Sequence, residues 1–226
     1  MKKNLTRTTK IKMKKILMIS AVSVSLFACN NAENKEATTE KKDSAVVTTT
    51  APATTGTDSS ATAPSTKEYK TKTGKTFVVV TTHPEGASLS NIKVTLKEVP
   101  GSEMSFDKVD PINKVMVDDL DADGFDEIYI STTSAGSGSY GNLYGVASNK
   151  DKSVSGVYMP TVEQADMAKG KHFEGYEGHD DFQIIENSVV RTFPIKADKA
   201  TKRQVNYKMK AGEATFLFYI KNSTAY

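Results

Sequence analysis

The chain has 226 residues and a formal net charge of +3, from 30 Lys/Arg and 27 Asp/Glu. Seven of those cations lie in residues 1–28, which carry no acid, so the remaining 23 cations and 27 acids leave residues 29–226 at −4. Without a basic domain there is no electrostatic footprint for nucleic acid, and a single cysteine, Cys29, excludes an intrachain disulfide.

Met13-Lys14-Lys15 is a basic start, and residues 16–28 form a mostly apolar run of thirteen. That run fits the h-region of a signal peptide and is too short to span a bilayer comfortably. Met13 can serve as the initiator, because residues 1–12 add mainly basic and polar sequence. Leu26-Phe27-Ala28-Cys29 then reads as a lipobox, with a branched residue at −3 and a small one at −1; Phe27 is bulkier than usual at −2. The segment resembles the leader of bacterial lipoproteins. That resemblance implies a signal peptide over 1–28 and an acylated Cys29 that ties the chain to the membrane. Asn30, rather than Asp, after the cysteine implies the outer membrane of the cell envelope. Residues 30–66 are Thr, Ala, Ser, Pro, Lys and Glu with few large apolar side chains. Such a segment cannot bury enough surface to offset its ordering entropy. The stretch 29–66 is therefore expected to be a lipidated cysteine and a disordered tether reaching roughly 30–35 Å from the membrane.

From Lys67 the composition changes. Residues 76–82 and 91–99 are rich in β-branched side chains, the second alternating with period two, and 112–117 repeats the pattern. Further strands are expected at 127–133, 142–148, 153–159, 182–195, 203–210 and 214–220, separated by turn signals such as Glu85-Gly86, Pro100-Gly101 and Ala211-Gly212. Residues 161–169 alone read as helical, with Thr161 as N-cap and Glu163 in the first turn. The expected fold of residues 67–226 is all-β, an antiparallel β-sandwich or barrel-like domain of about eight strands, large enough to build a core without disulfides.

Two stretches stand out. The first is Asp119-Leu120-Asp121-Ala122-Asp123-Gly124-Phe125-Asp126-Glu127. Acids at positions 1, 3 and 5 with glycine at 6 present oxygens to a common centre, as in the first half of an EF-hand loop. The Phe125 carbonyl would occupy position 7 and Glu127 position 9, but position 12 is Ile130, so the bidentate glutamate is missing. Two readings stand side by side: a structural Ca²⁺ site, or an Asx-rich turn whose carboxylates accept from backbone amides. In either, the turn aims the strand 127–133. A calcium-dependent adhesion or carbohydrate-binding lipoprotein working through this turn is the alternative function.

The second is the small-residue loop that follows that strand, Ser134-Ala135-Gly136-Ser137-Gly138-Ser139-Tyr140-Gly141. Its glycines permit unusual backbone angles and close approach of a partner. No His or Lys adjoins its serines to act as base, and no G-x-S-x-G elbow is present, so recognition suits it better than catalysis. Ser137-Gly138-Ser139-Tyr140 matches the Ser-Gly-x-Tyr motif of bacterial lysozyme inhibitors. The surrounding DLDADGFDEIYISTTSAGSGSYGNLYGVASN, GYEGHDDF and RTFPI segments resemble the periplasmic inhibitors of i-type (invertebrate) lysozyme over roughly residues 67–226. The resemblance implies a non-enzymatic protein without a required cofactor, whose Ser137-Gly138-Ser139-Tyr140 loop enters the cleft of an i-type lysozyme. Inhibitors of c-type lysozyme share the four-residue motif but usually carry a disulfide, which this domain lacks.

The histidines add little. His172 and His179 are seven apart, outside the usual His-x3–5-His zinc spacing, and His83 precedes Pro84 at a strand end without a sequence-local partner.

Overall fold

The computed structural model describes residues 63–196 and 198–226; the expected signal peptide, Cys29 and most of the expected tether lie outside them. The described chain is all-β, with twelve strands in two sheets. The first sheet is an antiparallel meander of β1 (Ser65–Lys70), β2 (Thr76–Thr82), β3 (Ser90–Leu96) and β4 (Glu103–Val109). The second holds β5 (Ile112–Asp118), β6 (Glu127–Thr133), β7 (Gly141–Ser148), β8 (Val154–Tyr158), β9 (Asp181–Ile184), β10 (Val189–Ile195), β11 (Asp198–Ala211) and β12 (Phe216–Ala225). Their order in space is β5-β6-β7-β8-β12-β11-β10-β9. This sheet curls into a nearly closed barrel. Its two edges meet where the Lys114 ammonium on β5 donates to Asp181 Oδ1 and to the Phe182 carbonyl on β9, each at 3.0 Å.

Several expectations change in detail. Ser65 and Thr66, at the end of the expected tether, belong to β1 and pair with Thr81 and Val80 of β2. The sheets are antiparallel except at β8 and β12, which run parallel over Val157–Tyr158 and Phe216–Leu217. The segment expected as one strand over 182–195 is a hairpin: Glu186 and Asn187 both take left-handed backbone angles, and Ile185 and Ser188 exchange two 3.0 Å backbone hydrogen bonds. Two left-handed central residues make the tight turn whose twist suits adjoining strands. The expected helix over 161–169 is a single 3-10 turn, Gln164–Met167, with none of its residues buried. Thr161 does not cap it. The Glu163 amide donates to Asp166 Oδ2 at 2.9 Å, and the Thr161 hydroxyl donates to Glu163 Oε1 at 2.9 Å. Only Met167 of its four residues packs against the core, and then only in part, so the segment has little tertiary support for a longer helix.

Strand β6 is the shared wall of the molecule. Alternation sends successive side chains to opposite faces, yet Glu127 to Thr132 are all buried. Ile128 and Ile130 pack with Phe77, Val79, Ile92, Val94 and Leu96 of the four-stranded sheet. Tyr129, on the other face, joins the barrel interior with Leu143, Phe193, Tyr207 and Phe218. Each such aliphatic or aromatic side chain contributes about 1.5–3 kcal/mol of hydrophobic stabilisation. β6 is thereby fixed on both faces, with the acidic turn at its start and the glycine-serine loop at its end.

Candidate functional site: the loop after β6 and the turn before it

The loop of residues 134–140 closes the β6–β7 hairpin just beyond the Thr133–Gly141 pair. Its neck is fastened twice: the Ser134 amide donates to the Tyr140 carbonyl and the Tyr140 amide to Ser134 Oγ, both at 2.9 Å. Within it, the Ser139 amide donates to the Gly136 carbonyl at 2.9 Å. The left-handed residue of this turn is Ser139, with φ of 42°, whereas Gly136, Gly138 and Gly141 are not in that region. The glycines are needed for space instead. A Cβ on Gly138 would run into the Tyr140 ring, and one on Gly141 would sit 2.7 Å from Asp180 Cβ and 2.9 Å from the Phe182 ring. Ser139 therefore makes the turn and spaces its neighbours, while Ser137 is exposed and Tyr140 is 50% exposed.

Beneath the loop lies a buried ion pair that the sequence alone did not single out. Arg191 of β10 donates from Nε to Asp180 Oδ1 at 2.7 Å and from Nη2 to the Tyr176 hydroxyl at 2.5 Å. The Asp180 Oδ2 accepts from the Tyr176 hydroxyl and from the Gly141 amide, each at 2.7 Å. Arg191 also reaches the Gly141 carbonyl at 3.4 Å. Its guanidinium is ringed by Phe173, Tyr176 and Phe182, with centroids 5.3, 5.0 and 5.3 Å away. Burial pushes the Tyr176 hydroxyl above its ordinary range despite the opposing pull of Arg191, so it stays a donor. Aromatic contacts then run outward from this knot: Phe193 meets Tyr176 at 4.8 Å, and Tyr176 meets Tyr140 edge-on at 5.9 Å. A buried charge pair holds only if its remaining hydrogen-bonding positions are filled, and here the backbone of Gly141, where the loop enters β7, fills two of them.

Tyr140 stands as a ridge between two hollows. On one side is an open groove of about 630 Å³ walled by Phe106, Tyr144, Tyr158, Met159 and Met167, with Arg191 among its lining residues. On the other is a smaller polar hollow of about 290 Å³ bordered by Ser137, Glu177, His179 and Lys196. His179 belongs to the loop's support: its amide donates to the Gly138 carbonyl at 2.7 Å. His172 lies elsewhere, with Nδ1 3.1 Å from the Ser223 hydroxyl, and His83 Nδ1 is 2.9 Å from the Ser90 hydroxyl.

At the other end of β6, one carboxylate oxygen from each of Asp119, Asp121, Asp123 and Glu127 falls within 4.8 Å of the others. The same groups also act as Asx-type acceptors. Asp119 takes the Asp123 and Gly124 amides at 3.1 and 3.0 Å, Asp121 takes the Asp123 amide at 3.2 Å, and Asp123 takes the Phe125 amide at 2.9 Å. Lys72, 47 residues away in sequence, contacts Asp119 with its ammonium and donates its amide to Asp126 at 2.5 Å. Burial pushes the Asp119 carboxyl up, but Lys72 and the two amides outweigh it and hold it below its ordinary value. Glu127 is the opposite case. It is 1% exposed, and burial, with Asp121 and Asp119 close by, pushes its carboxyl up to about 8. The Leu120 amide and the Tyr129 hydroxyl both donate to its Oε2, at 2.8 and 3.2 Å. An all-oxygen donor set of this kind suits a hard divalent cation, and a cation here would favour the ionised Glu127 that burial, and to a lesser degree the neighbouring carboxylates, now oppose.

The structure thus brings Ser137, Gly138, Ser139 and Tyr140 together on one fastened loop and gathers the four acids in a separate turn. The two are the ends of a seven-residue strand, about 20 Å apart at the usual rise per residue. Scans of this chain against protein-family models, curated proteins and solved structures find no match.

Proposed function

We propose that this chain is a lysozyme inhibitor, directed at i-type lysozyme, that blocks the enzyme's cleft with Ser137, Gly138, Ser139 and Tyr140. The observation that carries the reading is the half-exposed Tyr140 on a loop whose backbone is fastened from below by Asp180, Arg191 and His179. Lysozyme chemistry uses a pair of carboxyl groups in a cleft. The Ser137 and Tyr140 hydroxyls suit such a site, because a hydroxyl can donate to an ionised carboxylate in a charge-assisted hydrogen bond. Tyr140 adds aromatic area of the kind that anchors protein interfaces. Substrate is then excluded sterically and nothing is consumed. No cofactor is required; Ca²⁺ at Asp119, Asp121, Asp123 and Glu127 would be a structural ion steadying the start of β6.

The lipobox at Cys29 suits a protein held at the envelope, where incoming lysozyme reaches the peptidoglycan. The alternative, an adhesin or carbohydrate-binding lipoprotein working through the acidic turn, is less favoured: Asp119 and Glu127 are buried and already accept from amides, Lys72 or Tyr129. Calorimetric titration of the protein into an i-type lysozyme tests the choice. Binding that survives chelation and is lost in Ser137→Ala/Tyr140→Ala supports inhibition, and binding to cell surfaces that chelation abolishes would replace it.

A further inference from the structure

We infer that Gly178 and the amide of His179 form a clamp that sets the inhibitory loop in its binding shape before any partner arrives; this rests on the inhibitor reading above. Three observations converge on that point. The His179 amide donates to the Gly138 carbonyl at 2.7 Å, so the tip of the loop is tied to a segment some forty residues further along the chain. Gly178 has φ of +89°, a region that suits glycine. A Cβ at 178 would overlap the Gly138 carbonyl oxygen, lie 2.9 Å from its carbon and 3.1 Å from Tyr140 Cδ1. Gly138 in turn has no room for a side chain because the Tyr140 ring covers it. Gly138 and Gly178 therefore both lie against the Tyr140 ring, which also meets Tyr176 edge-on, and neither glycine leaves room for a side chain between them. Gly178 touches no cleft and performs no chemistry; it is a positioning residue.

A loop held in its bound shape does not lose affinity to a small competent population, whereas a loosened loop binds only through that fraction. Disrupting the clamp should therefore slow association and leave dissociation little changed, because the contacts made once bound are the same.

Gly178→Ala is the test, with Gly170→Ala as its match. Gly170 also has a left-handed φ, of +78°, but nothing lies within 4 Å of an added Cβ. Both variants carry the backbone strain, and only Gly178→Ala meets the loop. The full-length protein in detergent is followed by amide hydrogen exchange and by association and dissociation rates with an i-type lysozyme. The expected result is faster exchange at Ser139, Tyr140 and His179 in Gly178→Ala alone, with association slowed roughly tenfold or more and dissociation within about twofold of wild type. Unchanged exchange in Gly178→Ala would overturn the clamp whatever the lysozyme result. Faster exchange with unchanged association would overturn its positioning role, since the loop would then be forming on contact. Faster exchange in a protein whose wild type inhibits no lysozyme would leave the clamp as geometry and overturn the inhibitor reading on which its purpose rests.

Discussion

Glu127 gives the molecule a pH-dependent stability whose sign runs against the common pattern for carboxylates. Its folded-state value of about 8 stands against an ordinary 4.5, so the folded chain holds this proton more tightly than the unfolded chain does. The associated stability is fully present below pH 4.5 and is lost as pH rises toward 8. By pH 7 the loss amounts to roughly 3–4 kcal/mol, from 2.5 pH units at about 1.4 kcal/mol each. That is a large share of a typical domain's 5–15 kcal/mol. Asp121, pushed up by burial and by its carboxylate neighbours, contributes with the same sign. Glu127→Gln removes the charge and keeps an acceptor for the Leu120 amide and the Tyr129 hydroxyl. Urea unfolding of both proteins at pH 5, 6, 7 and 8, in the presence of a chelator, reads the effect directly. Wild-type stability should fall across the series while the variant stays nearly level, so that the two match near pH 5 and the variant is the more stable at pH 8. A wild type whose stability holds or rises from pH 5 to 8 would refute the assignment of a buried, reluctantly ionised Glu127.

Other outcomes follow from the same geometry. Millimolar Ca²⁺ at pH 7.5 should raise the wild-type Tm and flatten its pH slope while leaving Glu127→Gln less affected; no rise in Tm would leave the turn as an Asx-type turn held by its own amides. Asp180→Ala strands a buried guanidinium and should destabilise the fold by about 3–5 kcal/mol in urea unfolding; a loss under 1 kcal/mol would mean the pair does not hold the loop's base. Tyr140→Ala should weaken lysozyme binding by about 2 kcal/mol or more, near thirtyfold, with the fold intact and only a small drop in Tm from the lost Tyr176 contact; calorimetry beside thermal unfolding separates the two effects. Cys29→Ser should move the protein from the detergent phase to the aqueous phase on phase partition, and retention with the detergent would count against the lipid anchor.

Much of the fold was legible because the strands that carry the core are β-branched and bounded by turn residues: β2 and β6 begin and end where the pattern places them. β1 and β4 were not. Ser65 to Lys70 buries little and shows no such pattern, while β4 alternates only over Glu103 to Asp107, with Met104 and Phe106 half covered, before the left-handed Lys108 breaks the period and Val109 turns inward. The parallel contact of β8 with β12 depends on how the barrel closes, which local sequence does not encode. At the candidate site the loop itself was visible as a run of small residues, but its support was not. Asp180 and Arg191 lie 39 and 50 residues beyond Gly141, and buried charges reveal their pairing only in three dimensions. Both fall within the GYEGHDDF and RTFPI segments that carried the resemblance, and those segments supply Tyr176, Gly178, Phe182 and Phe193 around the same knot. Lys72 offered no signal at all, since its role rests on packing the β1–β2 turn against Asp119 and Asp126.

The central claim is that the loop of Ser137, Gly138, Ser139 and Tyr140 stops a lysozyme. The most direct measurement titrates the purified protein into i-, c- and goose-type lysozymes clearing a suspension of bacterial cell walls, with Ser137→Ala/Tyr140→Ala alongside. Loss of i-type activity alone, restored when the double variant replaces the wild type, is the predicted result. Full activity of all three enzymes at saturating protein would contradict the account and return the loop to a hairpin turn.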